Sequence, residues 1–183
     1  MAVFSSEQSP RSVYECLVYD FSKQIHVLRA AYWICQNPVR RLIFYFRLIQ
    51  LKQNSRIWRS LLLSLYRRLQ YRLGCEINVN AKIGPRLRLP HPNGVVIGDG
   101  VTVGSDVVIF QQVTLGAKKR GDGNKAGMYP TIGNRAVLYA GAKLLGSIKV
   151  GDDAQVGANA VVLHDVPNNS VAVGIPAKIL GNA

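Results

Sequence analysis

The chain has 183 residues, 48% of them hydrophobic, with 23 Lys or Arg against 10 Asp or Glu and a formal net charge of +13. That apolar fraction can build a core and excludes global disorder. Three scattered cysteines (Cys16, Cys35, Cys75) with no CxxC pair exclude a disulfide framework or a zinc site and fit a reducing compartment.

Residues 1–74 read as a basic α-helical region. Residues 1–75 hold 12 Lys or Arg against 3 acids, and no acid stands between Phe21 and Cys75. The opening MAVFSSEQSP lacks the basic-then-apolar pattern of a secretory signal, so a cytoplasmic protein is expected. No apolar run approaches the ~18 residues of a membrane span; LIFYF is closed off by Arg47. Residues 11–35 form a mixed apolar stretch that Asn37-Pro38 interrupts. From Val39 to about Lys52 a helix is apolar on nearly every side. Asn54-Ser55 then caps another helix, with Trp58, Leu61, Leu62, Leu65 and Leu69 on one face, Arg56, Arg59 and Arg67 opposite, and Gly74 as its stop. Packing of these faces in a core or an oligomer contact is the first expectation. Peripheral contact with the inner face of the cell membrane is the second. No recognition motif or stacking platform for nucleic acid accompanies the charge.

From residue 75 the grammar changes. Aliphatic side chains recur every six positions at Ile77, Ile83 and Leu89, at Ile97, Val103, Ile109 and Leu115, and from Ile132 through Leu138, Leu144, Val150 and Val156 to Val162. A six-residue period suits neither an α-helix nor a long strand; it marks a parallel β-helix in which three hexads close one triangular coil. The aliphatic residue points inward, and a glycine or small polar residue takes the tight corner. The expected domains are the helical region 1–74, a left-handed β-helix over 75–165 and a tail over 166–183 that packs on it.

Two breaks interrupt the period. Leu89 and Ile97 are eight residues apart, with the surplus in Pro90-His91-Pro92-Asn93-Gly94; Leu115 and Ile132 are seventeen apart, which predicts a projecting loop over 116–131. A solenoid is irregular where it acts, and its flat surface forms a cleft only beside a second copy, so a homotrimer with an intersubunit site is expected. His91 stands in the first break, where an imidazole can take the proton of an acceptor hydroxyl attacking a thioester. Glu76, a little under one coil upstream, is the candidate to steady it. Covalent catalysis by Cys75 is the weaker alternative, because no GxCxG-like or Cys-His setting marks a nucleophile and the neighbouring Glu76 carboxylate would raise its pKa. Lys118, Lys119, Arg120 and Lys125 give the long loop a positive rim for an anionic partner.

The segments GCEINVNAKIG, LPHPNGVVIG, FQQVTLGA, AGAKLLG and VAVGIPAKIL together resemble the hexapeptide-repeat acyltransferases of the serine acetyltransferase-like branch, from Gly74 to about Leu180. The resemblance implies an acetyl-CoA donor and no metal; a homotrimer is expected, with its pairing into a dimer of trimers left open. It places His91 as the catalytic base with Glu76 in support. Ala117, Ala140, Ala158 and Lys178 fall on the side of the CoA arm and phosphates; Asn93, Tyr129, Lys118 and Lys119 fall on the side of the acceptor. Two departures bear on specificity. Pro90 stands where serine acetyltransferases carry an aspartate, and Met128-Tyr129 stand where they carry an Arg-His pair. A zwitterion needs opposite charges in its pocket. The expectation is therefore a carbohydrate hydroxyl as acceptor, in an acidic capsular or other surface polysaccharide or its precursor, with L-serine as the second reading.

Overall fold

The computed structural model describes residues 36–51, 56–118 and 127–182, and the chain divides into two compact units, residues 1–73 and 74–183. Residues 11–35, the Asn54-Ser55 cap and the loop cations Lys119, Arg120 and Lys125 lie outside the described residues.

In the first unit, helix α1 (Pro38–Leu51) starts at Asn37. The Asn37 Oδ1 accepts from the amides of Val39 (2.9 Å) and Arg40 (3.1 Å), and Pro38 takes the first turn, where its missing N–H leaves nothing unpaired. Helix α2 (Arg56–Leu73) ends where Gly74 turns left-handed at φ 65°. The two helices pack through Leu42, Phe46 and Ile49 of α1 and Tyr66 and Leu69 of α2, with the Phe46 and Tyr66 rings 6.3 Å apart. Of the expected stripe, Leu69 is buried beside Tyr66, while Trp58, Leu61 and Leu65 are exposed in the single chain. No helix among the described residues is long and apolar enough to cross a membrane.

The second unit is a left-handed parallel β-helix whose two-residue strands stack into three sheets. Face A holds β1 (Glu76–Ile77), β3 (Val96–Ile97), β6 (Thr114–Gly116), β9 (Lys143–Leu145) and β12 (Val161–Val162). Face B holds β2 (Lys82–Ile83), β4 (Thr102–Val103), β7 (Thr131–Ile132) and β10 (Lys149–Val150). Face C holds β5 (Val108–Ile109), β8 (Val137–Leu138), β11 (Gln155–Val156), β13 (Ser170–Val173) and β14 (Lys178–Asn182), the last antiparallel to β13. The register follows the period. Thr131 pairs with Lys149 and Lys143 with Val161, one eighteen-residue coil apart. Glu76 pairs with Val96 across a coil lengthened by two residues, and Thr114 with Lys143 across one lengthened by eleven.

Each hexad buries two side chains, the strand aliphatic and the residue two before it. Ile97, Ile109, Leu115, Ile132, Leu138 and Leu144 form the fully buried stack, with Val95, Val107, Val113, Ala136 and Ala142 beside them. Such inward continuity is what a parallel sheet coiled upon itself requires.

The glycines serve close approach more than left-handed turning. A Cβ on Gly133 would lie 2.6–2.7 Å from atoms of Asp152 and Gly151 in the next coil, and Gly84, Gly104 and Gly151 are crowded in the same way. The left-handed corner positions between faces B and C belong instead to Arg86, Asp106, Arg135, Asp153 and Asn169, with φ of 53–60°. Asp and Asn tolerate that conformation. The two arginines are held there by carboxylates one coil away: Arg86 pairs with Asp106, and Arg135 donates to Asp153 at 2.7 and 2.5 Å.

Candidate active site

The third corner, between faces C and A, gathers part of the predicted site. Its turns stack in a column. The Gly94 amide donates to the Gly74 carbonyl (2.6 Å), Gln112 to Asn93 (2.9 Å), Gly141 to Gln111 (2.9 Å) and Asn159 to Ala140 (2.9 Å). His91, Asn93, Ala140 and Ala158 therefore share one corner although 67 positions separate the first from the last. The two extra residues of the first break lengthen the turn at its upper end, and His91 is exposed there. An exposed imidazole at neutral pH can accept a proton from a hydroxyl brought to it.

Glu76 opens face A beside this corner with its side chain exposed. No hydrogen bond or ion pair joins it to His91 in the single chain. The corner also carries features that period-counting misses. Lys143 on β9 reaches back so that its Nζ donates to the Gln112 carbonyl. Phe110 and Tyr139 stack at 5.6 Å, with planes 10° apart, as a wall on the face C side. The backbone amides of Ala140 and Ala158 donate to no carbonyl among the described residues, leaving two donors along the column.

The remaining predicted residues lie elsewhere. Ala117, Lys118 and Tyr129 flank the projecting loop at the corner between faces A and B, so face A separates them from His91 within one chain. Tyr129 does not stand free. Its ring covers Gly98 and Gly100, where an added Cβ would come within 2.6 and 2.4 Å of ring carbons. Lys178 is exposed on β14 at the far end of face C.

Cys75 occupies the buried small-residue position two before Ile77, and burial pushes its thiol up to about 11. That cause replaces the expected influence of neighbouring Glu76, and a thiol so protonated is a poor nucleophile. No group of His, Cys, Asp and Glu able to hold a metal ion exists among the described residues.

Comparison with known proteins fits this architecture. Residues 129–164 match the family described as bacterial transferase hexapeptide (six repeats). A serine acetyltransferase of Helicobacter pylori is 51% identical over 107 residues, 58% of this chain and 61% of that protein. The chain thus spans about three fifths of that relative's length. A serine acetyltransferase of Bacillus subtilis is 36% identical over 179 residues, 97% of this chain and 72% of the relative. A solved serine acetyltransferase in complex with CoA superposes with a TM-score of 0.71 at 32% identity, covering 94% of this chain and 72% of that one.

These likenesses correct the expected carbohydrate acceptor and the assignment to capsule or surface-polysaccharide synthesis, since the similar proteins are serine acetyltransferases. The Bacillus subtilis likeness also runs through the basic N-terminal half. The charge argument from Pro90 and Met128-Tyr129 failed for a physical reason. A small zwitterion can be gripped by neutral amides and backbone groups as well as by side-chain charges.

Proposed function

We propose, on the premise that the chain belongs to the serine acetyltransferase family, that it transfers the acetyl group of acetyl-CoA to the hydroxyl of L-serine, giving O-acetylserine and CoA. The likeness running through 97% of the chain carries this reading. The exposure of His91 at an irregular corner of an otherwise regular solenoid supports it.

His91 takes the hydroxyl proton as the serine oxygen attacks the thioester carbonyl. The tetrahedral intermediate collapses, the C–S bond breaks, and the departing sulfur takes up the proton from the imidazolium. Glu76 is a positioning residue that steadies the ring once substrates tighten the site. The CoA arm runs down the column, where the amides of Ala140 and Ala158 have no carbonyl partner among the described residues. Asn93 faces the acceptor, Lys118 and Lys119 add charge on that side, and Lys178 offers charge to the CoA phosphates. Because face A lies between the His91 corner and the loop corner, a homotrimer completes the site by bringing the Ala117–Tyr129 loop of one copy to His91 of the next.

Thiol release from acetyl-CoA in the presence of L-serine tests the reading directly. Wild type turns over, and His91→Ala loses on the order of 10²-fold or more in kcat, the usual contribution of a general base. Thiol release that ignores serine, or that His91→Ala leaves intact, overturns it.

A further inference from the structure

Among the described residues, a single buried side-chain polar atom has no hydrogen-bond partner, Oε1 of Gln111. An amide oxygen removed from water without a donor is unfavourable, and such orphans are rare enough that each calls for a partner. Its place is informative. Gln111 occupies the turn directly below Asn93 and above Ala140 in the corner column, and its backbone carbonyl is already taken by the Gly141 amide. The stacked Phe110 and Tyr139 rings lie at the neighbouring position.

The turns of the column supply amide groups at Asn93, Gln111, Gln112 and Asn159 beside the His91 imidazole, and the Lys143 Nζ is held by the Gln112 carbonyl. Successive coils lie ~4.8 Å apart. In serine, the ammonium and hydroxyl stand two carbons apart, so the molecule spans roughly one such step with its hydroxyl toward His91.

Resting on the serine reading above, we propose that Gln111 is a specificity residue whose Oε1 accepts a hydrogen bond from the ammonium group of the amino-acid acceptor. A neutral acceptor in a walled corner holds a cation without the desolvation cost of burying a carboxylate there. The same oxygen offers nothing to an acceptor lacking a donor in that place.

The test is steady-state thiol release by the full-length protein with acetyl-CoA and L-serine, for wild type, Gln111→Leu and Gln111→Glu, with sedimentation of each protein alongside. Gln111→Leu raises the KM for L-serine by about tenfold or more, the usual loss for a hydrogen bond to a charged group. The KM for acetyl-CoA and the sedimentation coefficient stay at wild-type values, and kcat changes by less than the KM for serine. Gln111→Glu, which keeps the acceptor, restores the KM for serine to wild type or below. An unchanged KM for serine in Gln111→Leu, with wild type active, overturns this inference alone. So does a KM change accompanied by loss of assembly, which would place the missing donor on a neighbouring subunit. Absence of serine turnover in wild type overturns the functional reading itself and this inference with it.

Discussion

Replacing Gly133 with alanine tests the claim that close stacking, more than turning, demands the glycines. The added Cβ would meet Asp152 Oδ1 at 2.6 Å, the Asp152 amide nitrogen at 2.7 Å and the Gly151 carbonyl carbon at 2.7 Å. Two of these three atoms are backbone, and the coils are clamped on either side by the Gly133–Val150 (2.7 Å) and Asp153–Asn134 (2.9 Å) hydrogen bonds. Relief therefore means prying two coils apart. Overpacking of this kind costs about 1–3 kcal/mol, and a rigid obstacle puts it toward the upper end. The smaller entropy of the unfolded alanine chain offsets ~0.4–1 kcal/mol of that. A net loss of about 2 kcal/mol lowers the melting temperature by roughly 4–8 °C for a chain of this size. Gly116→Ala is the control. Its nearest neighbours would be Leu145 Cδ2 at 3.9 Å and Thr114 Cγ2 at 4.0 Å, so its melting point stays level or rises by about 1–4 °C. The assay is thermal unfolding by circular dichroism at one protein concentration, since assembly shifts the midpoint. Equal melting of Gly133→Ala and wild type, or equal damage in both variants, refutes the reasoning.

Other substitutions probe the cap, the core thiol and the charged corner. Asn37→Ala removes the acceptor for the Val39 and Arg40 amides and destabilises the first unit by ~1 kcal/mol in urea titrations. Cys75, its thiol pushed up to about 11 by burial, resists iodoacetamide at pH 8 in the folded protein and reacts once denatured, as peptide mass spectrometry reads directly. Cys75→Ala keeps catalytic turnover, because the thiol is core and not nucleophile. The Arg135 guanidinium holds the Asp153 carboxyl below the usual carboxylate range. A depressed folded pKa contributes stability that is present above the unfolded value and lost as pH falls through the folded one. The melting difference between wild type and Asp153→Asn, which keeps a residue tolerant of φ 57°, is therefore present at neutral pH and closes in acid.

The solenoid was legible because its rule is arithmetic. Every aliphatic position at six-residue spacing from Ile77 to Val162 is buried, and the two gaps in the count reappear as lengthened coils. His91 stood out for the same reason, being the residue of acid–base chemistry inside a break. Gln111 gave no such signal. It keeps the period, and what distinguishes it is an oxygen with no donor, visible only once its neighbours are placed. On α2, Trp58, Leu61 and Leu65 share the helical spacing of Leu69, and periodicity cannot say which of two overlapping apolar rows meets α1.

The acceptor was misjudged on firmer-looking ground, from two positions where charge was missing. Side-chain identity at a motif position specifies a contact only if the side chain stays at the site. Tyr129 instead spends its ring on Gly98 and Gly100, two glycines whose bare backbone accommodates it. Its replacement of a histidine thus alters how the loop is seated on its own coil, and says little about which molecule meets His91. What selects the acceptor must be sought among groups that the fold leaves without partners at the His91 corner. The side-chain oxygen of Gln111 is such a group, and it lies on a different coil from His91 and from the Ala140 and Ala158 amides proposed for the CoA arm. In a parallel β-helix, specificity is written down a column, at intervals of a full coil, and not along the chain.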